Sequence, residues 1–168
     1  MTERDPDADG APRPPRRRQR ERSTTEQALA LLTRREHSRR ELARKLAVRG
    51  HQPDEVDATV ARLADAGWQD DARFACSLAR SRAAAGYGPA YIRAELATHA
   101  LPSQLVADAL AAVEDDWESI ACDLLCRRFG AVPPAGAAAR RKAMDLLLRR
   151  GFDRVLAQRL SAFRFDEF

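Results

Sequence analysis

The 168-residue chain is poor in the residues that most often build sheets and active sites. Aromatics make up only 6% of it, and of its 29 cationic side chains just two, Lys45 and Lys142, are lysines. Ala, Leu, Arg and Glu dominate instead, a mixture that favours helix over sheet. No apolar run approaches the length needed to cross a bilayer, so no membrane association is expected. The opening residues are charged and proline-rich with no apolar centre, unlike a secretory signal, and a cytoplasmic location is the expectation. Cysteine is scarce and odd in number: Cys76, Cys122 and Cys126. Cys122 and Cys126 stand i,i+4, but a metal would need two further ligands that no His or second Cys pair supplies. Reduced, packed thiols and no metal are expected.

Catalytic sets are missing as well. There is no Walker-type glycine loop, no HExxH and no GxSxG. Gly86–Tyr87–Gly88 is not a nucleotide fingerprint, because no strand precedes it and the glycine spacing is wrong. His37, His51 and His99 all fall near helix ends, where an exposed or dipole-satisfying role is expected. The acidic pairs Asp70–Asp71 and Asp115–Asp116 read as helix caps rather than chelators. A binding protein without cofactor, not an enzyme, is the expectation.

What the chain does contain is a repeat. Residues 1–22, with Pro6, Pro12, Pro14, Pro15 and Arg16–Arg17–Arg18, read as a disordered basic tail. Order begins at Ser23–Thr24–Thr25–Glu26, a capping box, and Ser38–Arg39–Arg40–Glu41 reads as a second one. The second opens a helix with Leu42 and Leu46 on one side and Gly50 at its end. Pro53, Asp54 and Glu55 start a third helix carrying Val56, Val60 and Leu63, stopped by Gly67. The pattern recurs as Phe74 and Leu78, then Ile92 and Leu96, then Leu105, Ala109, Leu110 and Val113 after Pro102. It recurs again as Ile120, Leu124 and Phe129, then Ala143 and Leu147, then Val155, Leu156 and Leu160. The period of about 50 residues, from 42 to 92 to 143, is that of helical repeat arrays. The expected organisation is all-α, with repeats at 23–69, 70–114 and 115–168 in a solenoid-like array. Trp68 and Phe74 are expected in the core between repeats.

Charge follows the same beat. Residues 23–50 carry a net +4, 51–71 a net −5, 72–100 a net +3, 101–126 a net −6 and 127–164 a net +8. The middle helix of each repeat and its approach are the basic parts. Stacked with a constant rotation, they would lay one basic stripe along the body, suited to phosphate. Internal pairing, as between Glu41 and Lys45 at i,i+4, would use up only part of it.

These residues resemble the bacterial RecX regulatory proteins, modulators of the RecA recombinase, over about residues 24–163. The resemblance rests on Arg34–Arg35–Glu36–His37–Ser38–Arg39–Arg40–Glu41–Leu42 and on Ala66–Gly67–Trp68–Gln69–Asp70–Asp71–Ala72–Arg73–Phe74–Ala75. It rests further on Gly86–Tyr87–Gly88–Pro89 before Ile92–Arg93–Ala94–Glu95–Leu96, and on Arg149–Arg150–Gly151–Phe152. It implies three tandem three-helix repeats in an elongated, curved, right-handed or solenoid-like array that binds within or along the RecA–DNA filament. It also implies restraint of strand exchange, ATP hydrolysis and coprotease activity, in DNA repair and the SOS response, with single- or double-stranded DNA as a further partner. The contact surface is expected on Arg35, Arg39, Arg40, Arg44, Arg93, Arg141, Lys142 and Arg150, with Tyr87 as an aromatic anchor, on a monomer. The alternatives are a stand-alone DNA-binding module or a protein-interaction scaffold. The tail at 1–22 lies outside the resemblance, and Ala131–Val132–Pro133–Pro134–Ala135–Gly136–Ala137 reads as a linker inside the third repeat.

Overall fold

The computed structural model describes residues 22–113, 116–130 and 136–162. The expected tail at 1–22 lies almost wholly outside them, as do Asp115 and most of the 131–137 linker. Nine helices and no strand stand among the described residues. They form three triplets: α1 (Thr24–Leu32), α2 (Arg39–Val48) and α3 (Pro53–Asp65); α4 (Asp71–Ala84), α5 (Pro89–Ala97) and α6 (Ser103–Ala111); α7 (Trp117–Phe129), α8 (Ala137–Arg149) and α9 (Arg154–Ala162). No helix is long and apolar enough to cross a membrane.

The register of the repeats is fixed by six side chains. Leu42 and Leu46 of α2, Ile92 and Leu96 of α5, and Ala143 and Leu147 of α8 are all 0% exposed. One i,i+4 pair per middle helix is therefore the innermost apolar stripe of each triplet. Helices α3 and α6 bury equivalent residues, Val56 and Val60 against Val106 and Leu110. The last helix departs from expectation. Val155 is 78% exposed, while Ala157, Leu160 and Ser161 are buried. Two residues are about 200° of helix, so turning Ala157 inward turns Val155 out.

The apolar interior is divided unevenly. One continuous core joins the second and third repeats, running from Phe74 and Ala79 through Ile92 and Leu125 to Leu147 and Leu160. The first repeat keeps its own, built on Ala28, Leu42, Leu46, Val56 and Leu63. Cys76 and Cys122 pack against the larger core, and all three thiols are unpaired.

Caps explain where most helices start. Ser23 closes a full capping box with Glu26, and Asp70 Oδ1 accepts from the backbone N–H groups of Ala72 (2.6 Å) and Arg73 (3.0 Å). Those bonds, with Arg73 first, hold the Asp70 carboxyl below its usual range. Pro53 and Pro89 occupy first helical positions, as expected. Ser38 makes only half of the expected box: its hydroxyl accepts from Glu41 N (3.1 Å), but the Glu41 carboxylate is taken by neighbouring cations. Asp116 sits at the N-cap of α7 without a side-chain cap bond.

The helix ends carry a further mark of the repeat. Gly50 and Gly151 follow α2 and α8 with φ of +89° and +87°, and the equivalent residue after α5 is Ala100, at +56°. A Cβ in this left-handed region costs about 1–2 kcal/mol, partly offset by the greater entropy a glycine loses on folding. Ala100→Gly is expected to stabilise the protein by about 0.5–1 kcal/mol. A urea melt of the variant showing an unchanged or lower midpoint would contradict that reading of Ala100.

Candidate partner interface

The middle helices meet end to end. Gly88, the N-cap of α5, has no side chain to offer, and its N–H donates instead to the Arg150 carbonyl at the end of α8 (2.7 Å). Ala90 N donates to Gly151 O (3.1 Å) in the same junction. Carbonyls left over at one helix end thus satisfy N–H groups left over at the next start. At the equivalent place one repeat earlier, the N-cap of α2 is Ser38, whose Oγ lies 2.8 Å from Nδ1 of His99, just beyond α5. The order along this row is α8, α5, α2.

The two junctions differ in chemistry. Between the second and third repeats the packing is close and partly aromatic. Tyr87 and Tyr91 stack with centroids 4.2 Å apart, and the Arg150 guanidinium lies 4.4 Å over the Tyr87 ring. Between the first and second repeats it is polar. Gln69 Nε2 donates to His37 O (3.1 Å) and to Asp71 Oδ1 (2.9 Å), which also accepts from Arg39 N (2.9 Å). Arg73 donates to Glu36 (3.0 Å) and to the carbonyls of Gly67 and Trp68.

Glu41 anchors this polar side. It is 9% exposed and binds Arg35 through both oxygens, with His37 Nδ1 at 2.9 Å and Lys45 Nζ at 3.1 Å. Burial pushes its carboxyl up, but the hydrogen bonds from Arg35, with His37 and Lys45 close beside it, outweigh it and hold the pKa at about 2. Burial pulls His37 and His99 below the usual histidine value, against the opposing pull of Glu41. Alongside runs a cleft of about 260 Å³ floored by Phe74 and Leu78, where the Arg82–Glu95 pair (2.7 Å) faces Arg35–Glu41.

Two expectations fail here, for a common reason. His37 is 2% exposed rather than open, because the α1–α2 loop folds its ring onto Glu41 and its carbonyl onto Gln69. Trp68 is 59% exposed rather than core: Gly67, at φ +74°, turns the chain outward, and only the Trp68 carbonyl serves the junction. Phe74 is buried, with its ring 4.6 Å from that of His99.

The residues singled out as contacts divide into three sets. Arg40 and Arg44 lie two residues from Leu42 and Leu46, on the side of α2 opposite its core stripe. Arg141 takes the equivalent outer place on α8. These three, with Arg39, Arg93 and Lys142, are exposed and form no ion pair among the described residues. Arg93 and Lys142 flank the outer stripe on opposite sides. Arg35 is bound to Glu41, Arg150 is held over Tyr87 and donates to Ala85 O (3.3 Å), and Tyr87 is half-buried. The outer places of α5 are Ala90 and Ala94, so the row carries cations densely at its two ends and thinly in the middle. Composition missed Tyr91, the exposed member of the aromatic pair; its i,i+4 spacing from Tyr87 was the available signal. Among the described residues no group of three His, Cys, Asp or Glu could hold a metal ion.

Family models described as the first and second three-helix domains of RecX match residues 25–63 and 70–110. Regulatory protein RecX of Stenotrophomonas maltophilia strain R551-3 is 51% identical over 161 residues, covering 96% of this chain and 99% of its own. That of Xanthomonas campestris pv. campestris strain B100 is 56% identical over 144 residues, 85% of this chain and 89% of its own. The crystal structure of RecX from Lactobacillus salivarius superposes with a TM-score of 0.66 at 21% identity, covering 82% of this chain and 91% of that one.

Proposed function

The chain belongs to the RecX family of regulatory proteins, and from that premise we propose that it binds the RecA recombinase filament and restrains its ATP hydrolysis, strand exchange and coprotease activity. It would do so as a monomer in the cytoplasm, within DNA repair and the SOS response, its three repeats spanning 23–69, 70–114 and 115–168. The observation that carries the reading is the outer face of the middle-helix row. Arg39, Arg40 and Arg44 at one end and Arg141 and Lys142 at the other are exposed and free of carboxylate partners among the described residues. Unpaired guanidiniums held on rigid helices are suited to phosphate or to an acidic protein face. Arg93 lies between the two ends. Arg35, Tyr87 and Arg150, already committed within the chain, contribute by the edges they leave open.

The deciding measurement is RecA ATPase on single-stranded DNA, with and without the protein. The rate is expected to fall at stoichiometric ratios, and no effect there sinks the proposal. Arg40→Glu with Arg44→Glu is expected to weaken the effect at least about tenfold, since each reversed charge replaces an attraction with a repulsion. Helicity should be unchanged, because both side chains point away from the core. Unaltered restraint by the double variant would remove the α2 face from the contact surface. A salt titration on DNA without RecA separates the stand-alone DNA-binding module: its affinity would fall steeply with salt and owe nothing to the recombinase.

A further inference from the structure

The aromatic junction between the second and third repeats has a free end. Arg150 and Tyr91 both pack on Tyr87, but Tyr91 is itself 39% exposed. Its ring is held in advance of any partner. The Gly88–Arg150 and Ala90–Gly151 backbone bonds pin the helix turn that carries it, and Gly151 passes beside it where a Cβ would come within 2.6 Å of Tyr91 Cβ. A ring so fixed loses little further freedom when something stacks on it.

Its surroundings are cationic and partly apolar. Arg149 and Arg154, either side of Gly151, are exposed and unpaired among the described residues, whereas Arg93, two residues on from Tyr91, faces the other side of α5. Of the nearby acids, Glu95, one turn on from Tyr91, is paired with Arg82 (2.7 Å), and Asp153 caps α9 by accepting from Leu156 N (2.9 Å). Leu148 and Val155, three residues before Gly151 and four after it, are two of the exposed large hydrophobic residues of the chain. An open ring already stacked on another, with an apolar fringe and a surplus of arginine, matches a ligand that is at once flat and polyanionic. An acidic peptide would satisfy the guanidiniums and leave the ring uncovered.

We propose that Tyr91 is a stacking platform for an unpaired nucleobase of single-stranded nucleic acid, with Arg149 and Arg154 neutralising the adjoining phosphates. This rests on the phosphate side of the reading above, in which exposed arginines of the row meet nucleic acid rather than an acidic protein face, and it adds the site where bases are gripped. Base–aromatic stacking tolerates any sequence, so no base preference is expected.

The test compares an oligodeoxythymidylate with an abasic strand of equal length and charge, at one salt concentration, by fluorescence anisotropy. The full-length protein is expected to prefer the strand with bases by about fivefold or more. Tyr91→Ala should abolish that preference and Tyr91→Phe should keep it. A 2-aminopurine strand should be quenched on binding the unaltered protein, a readout that needs no variant to fold. The proposal fails if the unaltered protein does not discriminate, if quenching is absent, or if Tyr91→Ala weakens both strands equally or neither. It also fails if Tyr91→Ala spares both strands but weakens capture by the RecA filament, which would make the patch a protein contact. Absence of RecA restraint by the unaltered protein would sink the reading above yet leave the preference for bases standing.

Discussion

Gly151→Ala is expected to destabilise the protein by about 3–5 kcal/mol, while Gly50→Ala, at the equivalent place in the first repeat, costs about 1 kcal/mol. Both glycines sit at nearly the same left-handed φ, +89° and +87°, so the backbone penalty of an added Cβ is shared. Their surroundings differ. Nothing lies within 4 Å of a Cβ on Gly50, whereas one on Gly151 would overlap the backbone N and the Cβ of Tyr91. A flexible side-chain tip could move aside; a helical backbone pinned by two hydrogen bonds cannot. To make room, the junction must open and give up the Gly88–Arg150 and Ala90–Gly151 bonds, each worth about 1 kcal/mol net. Gly88→Ala should behave similarly, since its Cβ would stand 2.6 Å from the Gly151 carbonyl carbon and oxygen. The loss is a large share of the stability of a chain this size. Urea melts of Gly151→Ala and Gly50→Ala side by side decide it: equal losses would mean that φ alone matters and the close approach of α5 and α8 does not.

The contrast between these glycines shows where sequence reasoning stops. The i,i+4 pairs of the middle helices, the capping serines and the breaker glycines were legible because each is a local signal, set by helix periodicity within one element. Gly50 and Gly151 look alike in sequence, and the difference between them lies in what another repeat brings alongside. The same holds for His37. A histidine near a helix end reads as exposed or dipole-satisfying, and only the fold-back of its loop onto Glu41 and Gln69 buries it. Alignment of the repeats gave a hint, since His37 occupies the place of Tyr87, and His37–Glu41 and Tyr87–Tyr91 are both contacting i,i+4 pairs. Of the candidate surface, Arg40, Arg44 and Arg141 could be placed outward from their spacing to the core pair alone. That Arg35 and Arg150 turn inward to Glu41 and Tyr87 could not, because guanidinium reach is decided by partners far from the stripe.

The two junctions also divide the labour of holding the array together. The second and third repeats share one apolar core, whereas the first is tied on through the polar groups around Ser38, Gln69, Asp71 and Arg73. Apolar burial is insensitive to pH, and a network of carboxylates, guanidiniums and histidines is not. Acid should therefore act first on the α1–α3 unit and its seam with α4 and α5.

Glu41→Gln is the substitution that should expose this most sharply, with a loss of about 2–3 kcal/mol at neutral pH. The isostere keeps the packing of a side chain that is 9% exposed and removes the charge that Arg35, His37 and Lys45 converge upon. Arg35 and Lys45 reach solvent and can be rehydrated, which holds the cost below that of stranding fully buried cations. The pH dependence has two stages, both lost towards acid. His37 and His99 are held below 6.5 by burial, so the fold favours their neutral forms. That contribution is complete above 6.5 and declines as pH falls below it. Glu41, held at about 2 against an ordinary 4.5, contributes fully above 4.5 and loses its share as pH falls from there towards 2. Urea midpoints from pH 7.5 to 3 should thus fall gently at first and then steeply below 4.5 for the unaltered protein. In Glu41→Gln the steep lower stage should be flattened while the histidine stage persists. A variant that kept the same slope below pH 4.5 would show that some other carboxylate, and not the buried Glu41 beside the first junction, governs acid unfolding.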